Sequence, residues 1–409
     1  MVFRYLNRPR GGSSSSAFYD FSLGSLPAGV TLTRASAGYR YNSSGVLVSE
    51  TTNAARFDYT PVTLAARGLL VEASGTNLLT YSEDLSNAAW SMSNGTIGSN
   101  ATTAPDGTVT ADAVIENAVG AVNHGPGRVV TFAATTYAIS VYAKANTRNW
   151  IYFYMDPARF GGSGYTYFNI GTGAVGTTLA GATAFMTLEA NGFYRCTVIA
   201  TASAGNGNFG LGLATGDNVS SYVGDGVSQA YMWGFSVVAE AYRSSYIQTV
   251  AATATRAADV ALITNASAIS DQCWIVKART PRKISGGAAN TVLTVDDGSF
   301  FNRRLVYYST TGRLIVAAAV ANVTTCNIDL GAVAADTDFA VAVRWADNNF
   351  AASLNGGAIV TDLSGANPLG LTTARVGHGD SGTLYWNSTI KTIETRRTAS
   401  DTELPLLAA

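Results

Sequence analysis

The sequence predicts an all-β protein, and three observations carry that expectation. Charged residues make up only 13% of the 409, about half the usual share, and 42 residues are glycine. Helix-rich chains need more Glu, Lys and Leu than this. Side chains alternate with period two, most clearly over 149–156, where Ile151, Phe153 and Met155 point one way and Trp150, Tyr152 and Tyr154 the other. Turn signals such as Gly171-Thr172-Gly173 and Gly205-Asn206-Gly207 recur at the spacing of a β-sandwich. A hydrophobic content of 47% supports packed cores without metals or disulfides, and the length asks for more than one core. The expected architecture is two tandem β-sandwiches preceded by an N-terminal arm and collar.

The elements follow in order. Residues 1–70 read as the arm and collar. The first sixteen place Arg4, Arg8 and Arg10 among apolar residues, then Gly-Gly and four serines. Such a segment cannot bury enough surface to order itself, so it is expected to dock on neighbouring subunits, with the three arginines as docking candidates. From 18 to 70, short β-prone pieces alternate with turns such as Leu26-Pro27-Ala28-Gly29 and Asn42-Ser43-Ser44-Gly45. This collar holds too little continuous apolar surface for a core of its own. Residues 71–256 form the first sandwich, with strands expected at 137–144, 165–170, 193–202, 208–214 and 229–238. A linker at 257–264 leads to the second sandwich, 265–409. Its best hairpin runs over 338–360: Phe339, Val341, Val343 and Trp345 share a face, and Asp347-Asn348-Asn349 and Asn355-Gly356-Gly357 supply turns. No short-period repeat occurs, which disfavours solenoids and propellers.

Several function classes are disfavoured. The formal net charge of −1 gives no pull toward nucleic acid, and no basic aromatic stripe offers a base-stacking platform. No apolar run approaches the roughly 20 residues of a membrane span, and the N-terminus lacks the apolar core of a signal peptide. Cys196, Cys273 and Cys326 are far apart and odd in number. They read as small buried strand residues in a protein made in a reducing cytoplasm.

At this point a family likeness enters. The stretches DFSLGSLPAGVTLTRAS (20–36) and RFDYTPVTLAARGLLVEASGTNLLTYSEDLSNAAW (56–90) resemble a module of bacteriophage tail and head-appendage proteins. Its marks are Arg56 to Tyr59, Gly68 to Glu72, Thr76 to Leu79, and Trp90. APDGTVTADAV (104–114), FNIGTGAVG (168–176), GFYRCTVIATASAG (192–205) and MWGFSVVAEAYRSSYIQT (232–249) resemble the carbohydrate-binding-like jelly roll that follows in such proteins, closed by TRAAD (255–259). DFAVAVRWADNNFAASLNGG (338–357), ARVGHGD (374–380) and GTLYWNSTIKTIETRRTASDTEL (382–404) resemble a concanavalin-like, or laminin-G-like, jelly roll. The resemblance implies a non-enzymatic virion component, a fibre, spike or decoration subunit contacting other virion proteins, with homotrimers expected. The alternative is a receptor-binding adhesin for host surface polysaccharide.

Chemistry is sparse in the sequence. Glycoside hydrolysis needs two facing carboxyl groups, and the eight glutamates are scattered, with no Glu-x-Asp-x-x-Glu strand; a capsule depolymerase therefore ranks last. His124 and His378 are the only histidines and both read as loop residues. Asp84, Asp106, Asp112 and Asp225 are the aspartates that a structural calcium would draw on, though no loop has a calcium-specific spacing. No other cofactor is expected. Trp150, Tyr152 and Tyr154, with Tyr165 and Tyr167 on the next strand, are the glycan-binding candidates, because aromatic faces stack on sugar rings. The bland reading is that these rings cover a sheet or an interface. Trp233 and Trp386 are assigned to the core.

Overall fold

A computed structural model describes residues 15–282, 288–380 and 382–409. The docking candidates Arg4, Arg8 and Arg10 lie outside the described residues. Those described are almost entirely antiparallel β, with only short helices such as Pro157–Phe160 and Glu403–Leu407. The chain divides into two compact units. One gathers residues up to Thr31 with Val260–Thr280 and Ala289–Ala409; the other holds Leu32–Asp259 with Pro281–Ala288. The segment expected as a collar is thus shared out at Thr31.

The larger unit, Leu32–Asp259, is a sandwich of two sheets. One runs Thr183–Leu188, Tyr194–Ala202, Thr135–Ala145, Gln229–Val238, Ala111–Glu116, Gly95–Thr102. The other runs Ala174–Val175, Tyr165–Asn169, Trp150–Met155, Gly205–Ala214, Gly125–Phe132, Ser91–Ser93. Period-two patterning makes the core: Ile151, Phe153 and Met155 pack with Val141, Val198, Leu211 and Phe235 between the sheets. Trp233 is fully buried with Tyr142 and Tyr246 in a second cluster, its indole N–H donating to Thr110 Oγ1 at 3.0 Å.

The smaller unit is also a pair of sheets. The first places Val360–Asp362, Phe350–Leu354, Asp338–Arg344, Cys273–Arg279 and Ser388–Arg396 side by side, with Ser15–Asp20 pairing on the last. The second carries Val260–Ile263, Thr373–Val376, Asn290–Asp296, Arg303–Tyr308, Arg313–Val320 and Val323–Ala332. The expected hairpin is present. Phe339, Val341, Val343 and Trp345 are all buried, and its turns place Asn348 and Asn355 at φ of 49° and 50°, where asparagine is tolerated better than most residues. Trp386 is fully buried, 5.9 Å from the Phe339 ring. All three cysteines are free and buried.

Candidate functional site

In the larger unit, the face of the Trp150–Met155 sheet that turns away from the core carries the five aromatic candidates together. Antiparallel register sets Trp150 between Asn169 and Ala214, Tyr152 between Tyr167 and Gly212, and Tyr154 between Tyr165 and Gly210. The next strands continue this face with Gly127 beside Gly210 and Ser91 beside Gly127. Bulk therefore sits on one side and glycine on the other.

The rings are not equivalent. Tyr152 and Tyr167 are 4% and 2% exposed. Tyr152 lies flat on Gly212, where any Cβ would collide with its phenol ring. Tyr165 stacks on Tyr167 with centroids 6.0 Å apart, and meets Tyr152 and Tyr154 at 5.4 and 5.1 Å; such pairs each add about 0.5–1.5 kcal/mol beyond burial. Asn123 Nδ2 donates to Tyr165 Oη at 2.8 Å and fixes that ring. Tyr152 and Tyr167 are thus the foundation, while Tyr154 and Tyr165, half-buried, present surface.

What they face is a groove of about 510 Å³. Tyr154 and Tyr165 form its aromatic wall, Gly127 and Gly210 its floor, and Ser91, Ser93, Asn123 and Asn208 offer neutral polar groups. Gly125 is obligatory here, since a Cβ would strike the Leu211 carbonyl. Gly210 is not: its nearest neighbour would be the Pro126 carbonyl at 3.5 Å. An empty, permissive floor is what leaves room for an occupant. Among the described residues, no carboxylate or imidazole lines the groove. Arg128 also borders it, but its guanidinium donates to the Thr80 carbonyl at 2.9 Å and lies over the Trp90 ring. Trp150 falls outside the groove and borders a separate hollow of about 410 Å³ with Asn149, Asn169 and Thr172. The sequence signal for the floor was the spacing of Gly210 and Gly212, two residues apart on one strand face. Asn123 and Ser91 gave no local signal.

The other expected residues are dispersed. Asp84, Asp106 and Asp225 each accept backbone N–H bonds in their own turns, from Ser86, Thr108 and Val227. Asp112 accepts from Leu85 N at 2.8 Å and Asn100 N at 2.9 Å. No group of three or more His, Cys, Asp or Glu able to hold a metal occurs among the described residues. Both histidines lie outside the named strands, as expected of loop residues, but both are buried. His124 is fully buried, its ring nitrogens 2.7 and 3.2 Å from the carbonyl oxygens of Asn94 and Tyr222. His378 is 1% exposed against the Gly379 and Ala261 carbonyls, and burial draws its pKa down.

The motif residues of the sequence likeness converge on something different. Arg34, Arg56, Glu72, Arg256 and Asp259 form one buried ion network. Arg34 Nη1 meets Asp259 Oδ1 at 3.0 Å, Arg56 bonds Asp259 and lies 2.6 Å from Glu72, and Arg256 lies 3.3 Å from Glu72. The Glu72 N–H donates to Asp259 at 2.9 Å. Burial pushes the Glu72 carboxyl up, but Arg256, Arg56 and the Ser245 hydrogen bonds outweigh it and hold it at about 2. Closed to solvent, with each carboxylate paired to two arginines, this network is a strut.

No family model and no curated protein matches the chain. Among solved structures it is similar to the CBM40 of a Ruminococcus gnavus IT-sialidase bound to α2,6-sialyllactose, with 16% identity over 35% of this chain and 87% of that one, at a TM-score of 0.29. It is also similar to a heptameric SAP-like pentraxin from Limulus polyphemus (10%, 34% and 69%, TM-score 0.25). The LG1-3 region of a laminin α2 chain matches at 10% identity over 68% of this chain and 62% of that one, TM-score 0.23. Scores this low carry no functional argument, and the reading below rests on the geometry.

Proposed function

We propose that this chain is a non-catalytic recognition protein whose larger unit binds a glycan chain in the groove between Tyr154, Tyr165 and the Gly127–Gly210 floor. The observation that carries this reading is the pairing of a half-buried aromatic wall with an unfilled glycine floor on one sheet face. Ring faces contact the C–H surfaces of sugars, while neutral amides and hydroxyls serve sugar hydroxyls without the desolvation cost of a charge. The absence of carboxylates from the groove favours binding without cleavage.

The test is a glycan array and affinity electrophoresis with bacterial surface polysaccharides. Tyr154→Ala is expected to cost about tenfold or more in affinity, roughly one lost stacking contact. Gly210→Val, which fills the floor on a strand that tolerates β-branching, is expected to abolish binding with the fold retained by circular dichroism. Wild-type silence across the array, or full binding by Gly210→Val, contradicts the reading.

A second reading concerns the setting. The sequence likeness of 20–36 and 56–90 to phage appendage modules favours a virion component docked through its N-terminal residues, Arg4, Arg8 and Arg10 included, as a homotrimer displaying the groove to host polysaccharide. Particles assembled with the chain started at Ser15 test this: the reading expects the protein to be missing from them.

A further inference from the structure

The other sheet of the larger unit carries, on its outer face, a group of side chains unrelated to the groove. Register across Thr183–Leu188, Tyr194–Ala202 and Thr135–Ala145 sets Phe185 beside Thr197 beside Ser140, and Thr187 beside Arg195 beside Tyr142. Arg195 lies over the Tyr142 ring at 5.2 Å and donates from Nε and Nη2 to Ser140 Oγ at 3.3 and 3.1 Å. Arg243 and Arg282 both lie over Phe185, at 5.6 and 4.7 Å from its centroid. Arg243 Nη1 donates to Thr187 Oγ1 at 2.6 Å. Three guanidiniums therefore crowd one short stretch of sheet.

For Arg195 and Arg243, neutralisation is incomplete. Arg195 and Arg243 share a single ion pair among the described residues, Arg243 to Glu189 at 3.8 Å, and Glu189 also accepts from the Thr187 hydroxyl at 2.5 Å. Burial first, then the like charges of Arg195 and Arg282, draw the Arg243 guanidinium down to about 10. Between Phe185 and Ser140 the Thr197 hydroxyl is fully buried and has no hydrogen-bond partner, which in a folded protein marks a missing acceptor, donor or water. The aromatic faces of Tyr142 and Phe185 attract the guanidiniums but are not hydrogen-bond acceptor oxygens.

We propose that Arg195 and Arg243, with the Thr197 hydroxyl two residues along the strand from Arg195, form a binding site for a small oxyanion: a carboxylate, sulfate or phosphate group. Guanidinium forks match such groups bidentately, with charge-assisted bonds about twice as strong as neutral ones. An anion here relieves the mutual repulsion of the arginines and supplies the acceptors that Ser140 and Glu189 do not. The proposal is independent of the groove, which has no charge-recognition chemistry.

The test titrates the full chain with glucuronate, sulfate and inorganic phosphate by calorimetry and NMR, against chloride at matched ionic strength. Saturable one-site binding is expected, weakened about tenfold or more in Arg243→Gln and in Arg195→Gln, and unchanged in Tyr154→Ala. Arg195→Lys, which keeps the charge and loses the fork, is expected to weaken it too and covers the case in which a glutamine variant fails to fold. Preference for glucuronate identifies an acidic sugar as the ligand source, and preference for phosphate or sulfate identifies a free or ester-linked oxyanion. No saturable binding by the wild-type chain, or equal binding by the arginine variants, overturns the proposal.

Discussion

Two glutamates in the larger unit respond to pH in opposite directions. Glu240 is buried and accepts from the Ser244 N–H at 3.0 Å; burial pushes its carboxyl up to about 7 from its ordinary value of 4.5. Raised above its unfolded value, it retains a proton that the unfolded chain has released, so it subtracts stability as pH climbs from 4.5 to about 7. Glu72, held at about 2, adds stability above 4.5 that is lost as pH falls from 4.5 to about 2. Glu240→Gln is therefore expected to raise Tm at about pH 8 and to leave it nearly unchanged at about pH 4. A Tm series across pH checks this, and a wild-type curve flat between these limits contradicts it. At this scale the sequence was only partly legible. Period-two spacing put Trp150, Tyr152 and Tyr154 on one face, yet alternation says which way a ring points, not what covers it. Tyr152 proved buried because Gly212 lies beneath it, and Trp150 lines a different hollow. Asn123 reached Tyr165 from a loop 42 positions away, a contact that only register and folding create.

At the scale of elements, the strands of the larger unit were legible almost to their ends: 137–144 became Thr135–Ala145, and 229–238 became Gln229–Val238. Where the period is clean and turns carry glycine, local signals agree with the fold. The collar was harder, because its strands complete sheets with partners hundreds of positions away. Ser15–Asp20 adds to Ser388–Arg396, pairing Phe18 with Glu394 and Tyr19 with Ile393, and buries Tyr19 and Phe21. A short strand of this kind shows no periodicity of its own. Starting the chain at Ser22 is expected to cost about 2–4 kcal/mol relative to a start at Ser15, the range for deleting buried large side chains. Guanidinium unfolding measures the difference. Equal midpoints for the two chains contradict the role given to this strand.

For the whole molecule, the boundary that matters lies at Thr31 and Val260, not at the ends of the sequence likeness. A fragment of 71–256 drops Arg34, Arg56 and Asp259, so Glu72 keeps Arg256 but loses its closer partner Arg56. Breaking a buried ion pair in this way typically costs about 3–5 kcal/mol. The 32–259 fragment keeps all five residues and is expected to be the more stable, with calorimetric Tm as the check; a 71–256 piece that melts as high contradicts the network's role. The ion pair of Arg34 with Asp259 bears on more than stability. It ties the first strands of the larger unit to its last, so the chain leaves the smaller unit at Thr31 and returns at Val260 through two ends already clasped. A guest sequence that brings its own ends together makes little entropic demand on its host. A chain path of this kind lets the larger unit be exchanged as a cassette while the sandwich it is inserted into stays the same.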